Sequence, residues 1–576
     1  MSTAAVELRE GDIVFKSVSI IDGSGSTPRF LADVLVRGDT ILHIASAPSA
    51  IDVAQSSGIR VIDGNGGKLV LSPGFIDMHA HSDLSLLHTP EHPAKLTQGV
   101  TLEVLGQDGI GYAPVDDACL GQIRRQIAGW NGNPDDEAFW RWRSVREYLD
   151  TLETSKIATN VAYLVPQGNL RMLVLGYDPR PATPDEVEQM KTILERAMDE
   201  GAVGMSSGLT YVPGMYASNS ELGQLLVIVS RRGGYYCPHH RSYGKGAIAA
   251  YREMLQLARE TGVRLHLTHA TLNFAENRGR ANELISMIDE AIADGVSVTL
   301  DTYPYLPGST TLAAMLPSWA GAGGVDATLA RLADPETVKK IRHEVEHVGT
   351  DGCNGCTLEW STIEISGTSN DASLAATCIG KTVAEIAAVT GRDAFDVFVD
   401  ILLRDRLATT ILQHVGHEEN VRAIMRHPQH CGGSDGILTS AKPHPRGWGT
   451  FARYLGHYTR ELPVGRQREL YSLDSNALVS YTSVEPVTIF SGGLEEAVAH
   501  LTSRSARVLK LKDRGLVKEG YKADLVLFDP DNIEDVATFA NPQQPARGIT
   551  TVMVNGSLAV DDGVLTGARA GKTLRS

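Results

Sequence analysis

Residues 74–83 read Gly-Phe-Ile-Asp-Met-His-Ala-His-Ser-Asp, an apolar run that ends in two imidazoles two residues apart. On a regular strand, positions i and i+2 project to the same face, so His79 and His81 point the same way. Two readings fit that spacing. The pair is either two hydrogen-bonded histidines of a buried strand or two ligands of one divalent ion. The stretch alone does not separate them, and the rest of the chain must.

Working outward, the middle of the sequence repeats one rhythm. Short apolar runs (KLVLSPGFIDMHAH, VTLEVLGQD, NVAYLVPQG, AVGMSSGLT, GYYCPHH, VRLHLTH, VSVTLDTYPY and HCGGSDG) alternate with helical stretches such as PDEVEQMKTILERAMDEG. Eight strands alternating with helices predict an α/β fold, a (β/α)8 TIM-like barrel. The rhythm breaks between the seventh and eighth runs. Part of that gap, at about 313–365, is expected to be an inserted subdomain or lid, because ordinary connections are only a few residues long. A second excess segment follows at about 460–490. Both chain ends read differently. DIVFKSVSIIDG and ADVLVRGDTILHIA near the start, and ADLVLFDP and TTVMVNGSLAVDDGVLTG near the end, alternate apolar with polar residues. They predict a small β-sandwich domain formed by both termini. The expected division is 1–70 and 513–576 for that domain and 71–512 for the barrel.

Bulk properties narrow the function. The chain has 576 residues, 42% hydrophobic and 21% charged, with a formal net charge of -16. That acidity argues against nucleic acid or an anionic membrane as partner and otherwise reports solubility. The N-terminus shows no basic, apolar leader, and no run approaches the ~18 apolar residues of a membrane span. Six cysteines are too few for a disulfide framework in a chain of this size, so a reduced, cytoplasmic setting is expected. Cys353-Asn354-Gly355-Cys356 is an isolated pair with no second pair to complete a zinc site. A homo-oligomer is left open. No phosphate-binding loop of the Walker form is present.

The strand ends carry the chemistry. His79 and His81 end the first run, Asp108 the second, His239 and His240 the fifth, His269 the sixth, Tyr303 and Tyr305 the seventh, and Asp435 the eighth. Catalytic groups of barrels gather at those C-terminal ends. Adjacent His239 and His240 point to opposite faces of a strand, so only one can join a common centre; His240 and His266 are assigned structural roles. Asp108 and Asp435 each precede a glycine and could simply serve turns. Alternatively, Asp108 bridges two cations, and Asp435 binds metal and takes a proton from water.

With that constellation assembled, the chain resembles the amidohydrolase superfamily, and within it the N-acyl-D-amino-acid deacylase (D-aminoacylase) family. The likeness runs through PGFIDMHAHSD, QGVTLEVLGQDG, AVGMSSGLTYVPGMYA, YYCPHHRS, LHLTHA, DTYPYLPGST, GGSDG, HPRGWGTFARYLGHY and TSRSARVLKLKDRGLVKEGYKADLVLFDP, in order. It implies a hydrolase of linear carbon–nitrogen bonds, cleaving a small-molecule N-acyl-D-amino acid to a carboxylate and a free D-amino acid with one or two Zn2+ ions. His79 and His81 would hold one ion, with Asp435 as general base, and His239 and His269 a second, tighter one. Tyr303, Ser309 and Arg446 would surround the substrate carboxylate. Two positions depart from the family pattern. Asp108 stands where a bridging cysteine is common, and Thr271 where a lysine often lies. Two rivals remain: a hydantoinase or dihydropyrimidinase, whose carboxylated bridging lysine has no counterpart at Asp108, and a catalytically silent scaffold, which would have lost ligands.

Overall fold

Gly74 divides the opening run between two sheets. Val70–Pro73 pairs antiparallel with Leu525–Phe528, whereas Phe75–Asp77 pairs parallel with Val100–Leu105. A Cβ at position 74 would stand 2.2 Å from Thr101 Oγ1, so a residue without a side chain is needed for the crossing. The computed structural model describes residues 7–46, 51–53, 57–460 and 489–576.

The barrel strands are Phe75–Asp77, Val100–Leu105, Asn160–Pro166, Gly204–Gly208, Tyr235–His239, Arg264–Leu267, Val298–Thr302 and His430–Gly432. Neighbours in sequence are neighbours in space, all parallel. The ring closes just beyond the strands: Met78 N donates to Gly432 O at 3.0 Å and Asp435 N to His79 O at 2.8 Å. That closure sets the two histidines beside the eighth-strand aspartate. The second and third strands are buried at every position, as parallel strands covered by helices must be. The covering helices are amphipathic. Pro184–Asp199 starts with a Thr183/Glu186 capping box and buries Val187, Met190, Leu194, Ala197 and Met198 along one stripe.

The β-domain draws on both chain ends, as expected. Ile13–Ile20, Phe30–Arg37, Thr40–Ala45, Arg60–Asp63 and Val70–Pro73 join Leu525–Phe528, Ile549–Val554, Ser557–Asp561 and Val564–Leu565 in one sheet. Its outer strand returns to the C-terminal half, with Ile41 N donating to Tyr521 O and Gly520 N to Ile41 O, both at 2.8 Å, so the sheet folds over on itself. Phe15, Val34 and Leu71 share a core with Leu525, Leu527 and Met553.

Between the seventh and eighth barrel strands lies a separate subdomain. Gly308–Thr311, Ile363–Gly367 and Thr410–Gln413 form a three-stranded antiparallel sheet, and helices Val325–Ala333, Pro335–His343, Val383–Thr390 and Ala394–Arg404 pack on a core that includes Leu312, Ile341, Ile365, Phe398 and Ile411. The span 313–365 is therefore only part of this unit. Its other half is required because Ile363–Gly367 has no partner without Thr410–Gln413. The segment expected at 460–490 falls on 461–488, outside the described residues. No described helix is long and apolar enough to cross a membrane.

Candidate metal centre

The ligand candidates sit where strands give way to tight turns. Asp108, His269 and Asp435 all have positive φ (55°, 31° and 50°), a conformation that costs a non-glycine residue about 1–3 kcal/mol and is found preferentially at functional sites. Around Asp108 the turn is pressed against the fourth strand: a Cβ on Gly208 would stand 1.9 Å from Asp108 O.

The barrel brings all six residues together, buried. His79 Nε2 and His81 Nε2 are 3.1 Å apart, and His239 Nδ1 and His269 Nε2 likewise. Asp108 lies between the pairs. Its Oδ1 is 3.7 Å from His79 Nε2 and 3.3 Å from His269 Nε2; its Oδ2 is 3.4 Å from His81 Nε2 and 3.6 Å from His239 Nδ1. Asp435 Oδ1 joins the first pair at 3.5 and 3.2 Å. Two groups of donor atoms result, His79–His81–Asp108–Asp435 and Asp108–His239–His269, each with its atoms within 4.8 Å of one another and with Asp108 common to both. Four imidazoles and two carboxylates in that arrangement suit Zn2+, which takes nitrogen and oxygen donors at about 2.0–2.2 Å.

Charges in the cleft are strongly interdependent. Burial drives His79 down to about 4, partly opposed by Asp108 and Asp435. Burial also disfavours the His81 cation, but hydrogen bonds to Asp108 and Asp435 outweigh it and raise His81 to about 10. Burial would likewise raise both aspartates. His79, His269 and His239 instead hold Asp108 well below the usual carboxylate range, and Arg446 and His79 do the same for Asp435.

Several supporting residues went unread in the sequence. Asp301, in the middle of the seventh strand, accepts from Thr268 Oγ1 at 3.1 Å, bonds His266 Nε2 at 2.9 Å, and accepts from His269 N at 2.9 Å. Because Thr268 spends its proton on Asp301, its oxygen accepts from His79 Nδ1, which leaves the His79 Nε2 lone pair facing the cleft. Thr210 Oγ1 bonds His239 Nε2 at 2.7 Å. Beneath the first histidine pair, Lys95 is completely buried and donates to Asp77 Oδ2 at 2.5 Å and Ser434 Oγ at 2.9 Å, tying the residues next to His79 to those next to Asp435. Asp77 and Ser434 belong to the quoted motifs, but nothing in their spacing signals this buried link. His240 packs between Tyr243 and Tyr251 and His266 pairs with Asp301, so neither faces the cleft.

On the substrate side, Arg446 is fully buried and gives Nη2 to Asp435 Oδ2 at 2.9 Å. Its guanidinium lies 4.3 Å from the Tyr303 ring centroid and 3.5 Å from Ser309 O. The Nε and Nη1 donors of Arg446 have no acceptor. Tyr303, Ser309 and Thr271 line the cleft with Tyr211, Tyr243 and Asn273. Tyr305 does not: its hydroxyl turns to Asp535. The inserted subdomain closes the cleft with Met315, Gly352 and Asn354, and Tyr243 N donates to Asn354 Oδ1 at 2.9 Å. Cys353 and Cys356 thus flank a turn that docks on the fifth-strand loop, and both thiols are buried and free.

An amidohydrolase family model matches residues 60–560. The chain belongs to the amidohydrolase family. Within that family it groups with the N-acyl-D-amino-acid deacylases: it is 31% identical to the D-aminoacylase of Alcaligenes xylosoxydans xylosoxydans over 98% of this chain and 97% of that one. It is 33% identical to the N-acyl-D-glutamate deacylase of the same organism, over 95% and 93%. The crystal structure of an N-acyl-D-glutamate deacylase from Bordetella bronchiseptica, complexed with zinc and a phosphonate mimic of the tetrahedral intermediate, superposes with a TM-score of 0.77 at 30% identity, covering 99% of this amidohydrolase and 100% of that chain. The amidohydrolase described here has donor side chains at all six positions.

Proposed function

We propose that this amidohydrolase is a zinc-dependent deacylase of N-acyl-D-amino acids, with a preference for neutral amino acids. The observation that carries the reading is the pairing of Asp435 with Arg446 at the edge of the shared ligand group: one residue placed to move a proton, the other with two unspent donors for a carboxylate. When bound, zinc supplies Lewis acidity, polarising the acyl carbonyl and making water nucleophilic at neutral pH. The chain's own groups do the rest. Asp435, kept ionised by Arg446, takes the water's proton as its oxygen adds to the carbonyl carbon. It then returns that proton to nitrogen as the carbon–nitrogen bond breaks, giving a carboxylate and a free amino acid. Arg446, braced by the Tyr303 ring, would clamp the substrate α-carboxylate bidentately and fix the amide against the base.

The test is turnover of N-acetyl-D- and N-acetyl-L-amino acids before and after chelation. Hydrolysis of the D series, abolished by chelation and restored by zinc, is the expected result; hydantoin or dihydrouracil turnover in its place would overturn the reading.

Of the two curated relatives, one is named for an acidic amino acid and the other for none, and overall identity does not choose between them. Pocket chemistry does. An apolar recess walled by Val212, Met215, Ala313, Leu316 and Val325 opens off the cleft at Thr210, Tyr211 and Ala314, and no lysine or arginine lines the recess, which leaves Arg446, behind the Tyr303 ring, to the α-carboxylate. A second substrate carboxylate would be desolvated without a counter-ion. N-acetyl-D-leucine should therefore exceed N-acetyl-D-glutamate in kcat/KM by about 10² or more, the equivalent of ~2.7 kcal/mol. Replacing Arg446 with Lys keeps the charge but removes the planar fork, so KM should rise about tenfold or more, with a smaller change in kcat. An unchanged KM would remove Arg446 from carboxylate recognition.

A further inference from the structure

At the opposite end of the barrel from the metal cleft, a pocket lies where strands five to eight begin. Tyr235 and Arg264 stand at the starts of the fifth and sixth strands, and Cys431 of the eighth strand completes that wall. From below, helix Ser503–Val508 and the turn after it contribute Arg504, Arg507 and Lys510, spaced three apart and so on one side. Four cations meet here in a chain of net charge -16, and no aspartate or glutamate lines the pocket.

These groups lack the partners that such a cluster ordinarily has. Arg264 spends Nη1 on Val508 O at 2.6 Å and Nη2 on Gly233 O at 2.9 Å, leaving a buried Nε with no acceptor. Lys510 donates to the same Gly233 O at 2.8 Å, and Arg504 bonds His500 Nε2 but reaches Glu496 only at 3.9 Å. Among the described residues, Arg264, Arg507 and Lys510 form no ion pair. Tyr235 is 1% exposed, yet its hydroxyl has no hydrogen-bond partner. Arg507 and Lys510 stand at the exposed rim, where partial desolvation and then repulsion by Arg264 lower the Lys510 pKa. Unspent donors and uncompensated cations converge on one space.

We propose that this basal pocket binds a small doubly charged oxyanion of the phosphate class, either free phosphate or the phosphoryl group of a small metabolite. Tetrahedral oxygens would accept from Tyr235 and from Arg264 Nε while neutralising Arg504, Arg507 and Lys510. A bound dianion would join the helix below the barrel to the strand starts above it, and so stabilise the fold without touching the metal cleft.

The experiment is calorimetric titration of the zinc-loaded enzyme with inorganic phosphate and with glycerol phosphate, at constant ionic strength set with chloride. Because the metal cleft could itself take phosphate, wild type is compared with Arg264→Gln, Arg507→Gln and the double variant, each expected to retain deacylase kcat/KM within about twofold. At least a tenfold loss of anion affinity in each single variant, and its disappearance in the double variant, is the expected result. Tighter binding of the ester would identify a phosphorylated metabolite as the occupant; equal or weaker binding, free phosphate. Should the arginine variants fail to fold, Tyr235→Phe removes only the unpartnered hydroxyl and should weaken binding several-fold. No binding to wild type beyond that of chloride, or binding that the substitutions leave unchanged, overturns the proposal.

Discussion

Asp435→Asn is expected to lower kcat by about 10²–10⁴, the range for loss of a positioned general base, while KM changes little. Asparagine keeps the shape and can still accept from Arg446 and face the first histidine pair, so the zinc content should stay close to wild type. What it cannot do is carry the proton from water to the leaving amine. Steady-state kinetics on N-acetyl-D-leucine, with zinc quantified in the same preparation, separates lost chemistry from lost metal. Undiminished turnover would remove Asp435 from its assigned role. The pH profile gives a second readout. Burial favours protonated Asp435, and Arg446 and His79 overcome that preference. In Arg446→Gln the largest of the groups that oppose burial is gone, so the Asp435 pKa rises and the acid limb of kcat/KM should move to higher pH.

Asp108→Ala should be as damaging, for a different reason. Asp108 is the residue common to both donor groups, 3.3 to 3.7 Å from the ring nitrogens of all four histidines. Its removal takes one ligand from each group and the anion that offsets two cations held close together. Zinc stoichiometry should fall, and kcat/KM with it by at least about 10², the upper end of what loss of a metal-supporting partner alone costs. His81 would also change. Its rise to about 10 depends on Asp108 and Asp435, so with Asp108 absent burial should pull its pKa down, a shift that ring-proton NMR of the metal-free protein can follow. Asp108→Cys is the informative partner substitution. A softer thiolate at the same place should restore zinc and bind it more tightly than the carboxylate does, as chelator competition would register. Full zinc content and activity in Asp108→Ala would exclude a bridging role.

How much of this was legible beforehand follows from where each signal resides. The ligand candidates could be read because they are local: each ends an apolar run, and the two-residue period of a strand decides which histidines share a face. That His79 and His81 share a face, and that only one of His239 and His240 can join them, follows from that period; the choice of His239 rests on the family resemblance. The two-ended β-domain was equally local, since alternation and turn residues mark it at both ends. The far half of the inserted subdomain is not legible, because its strand Thr410–Gln413 has only four residues and reads as a strand only through the partners on either side of it.

The sequence by itself therefore determined the fold class, the β-domain drawn from both ends, and the residue types available at the strand ends. Tertiary structure alone decided which of them converge. Ring closure brings Asp435 beside His79 although 356 positions separate them, by the difference of their numbers. Asp301 supports His79 through Thr268, Lys95 ties Asp77 to Ser434, and Arg446 keeps two donors unspent, all through contacts between strands and helices far apart in the chain. The absence of cations from the substrate recess and their concentration at the barrel's base are of the same kind. Periodicity records which way a side chain points along its own element; what it meets there is fixed only when the barrel closes and the elements pack.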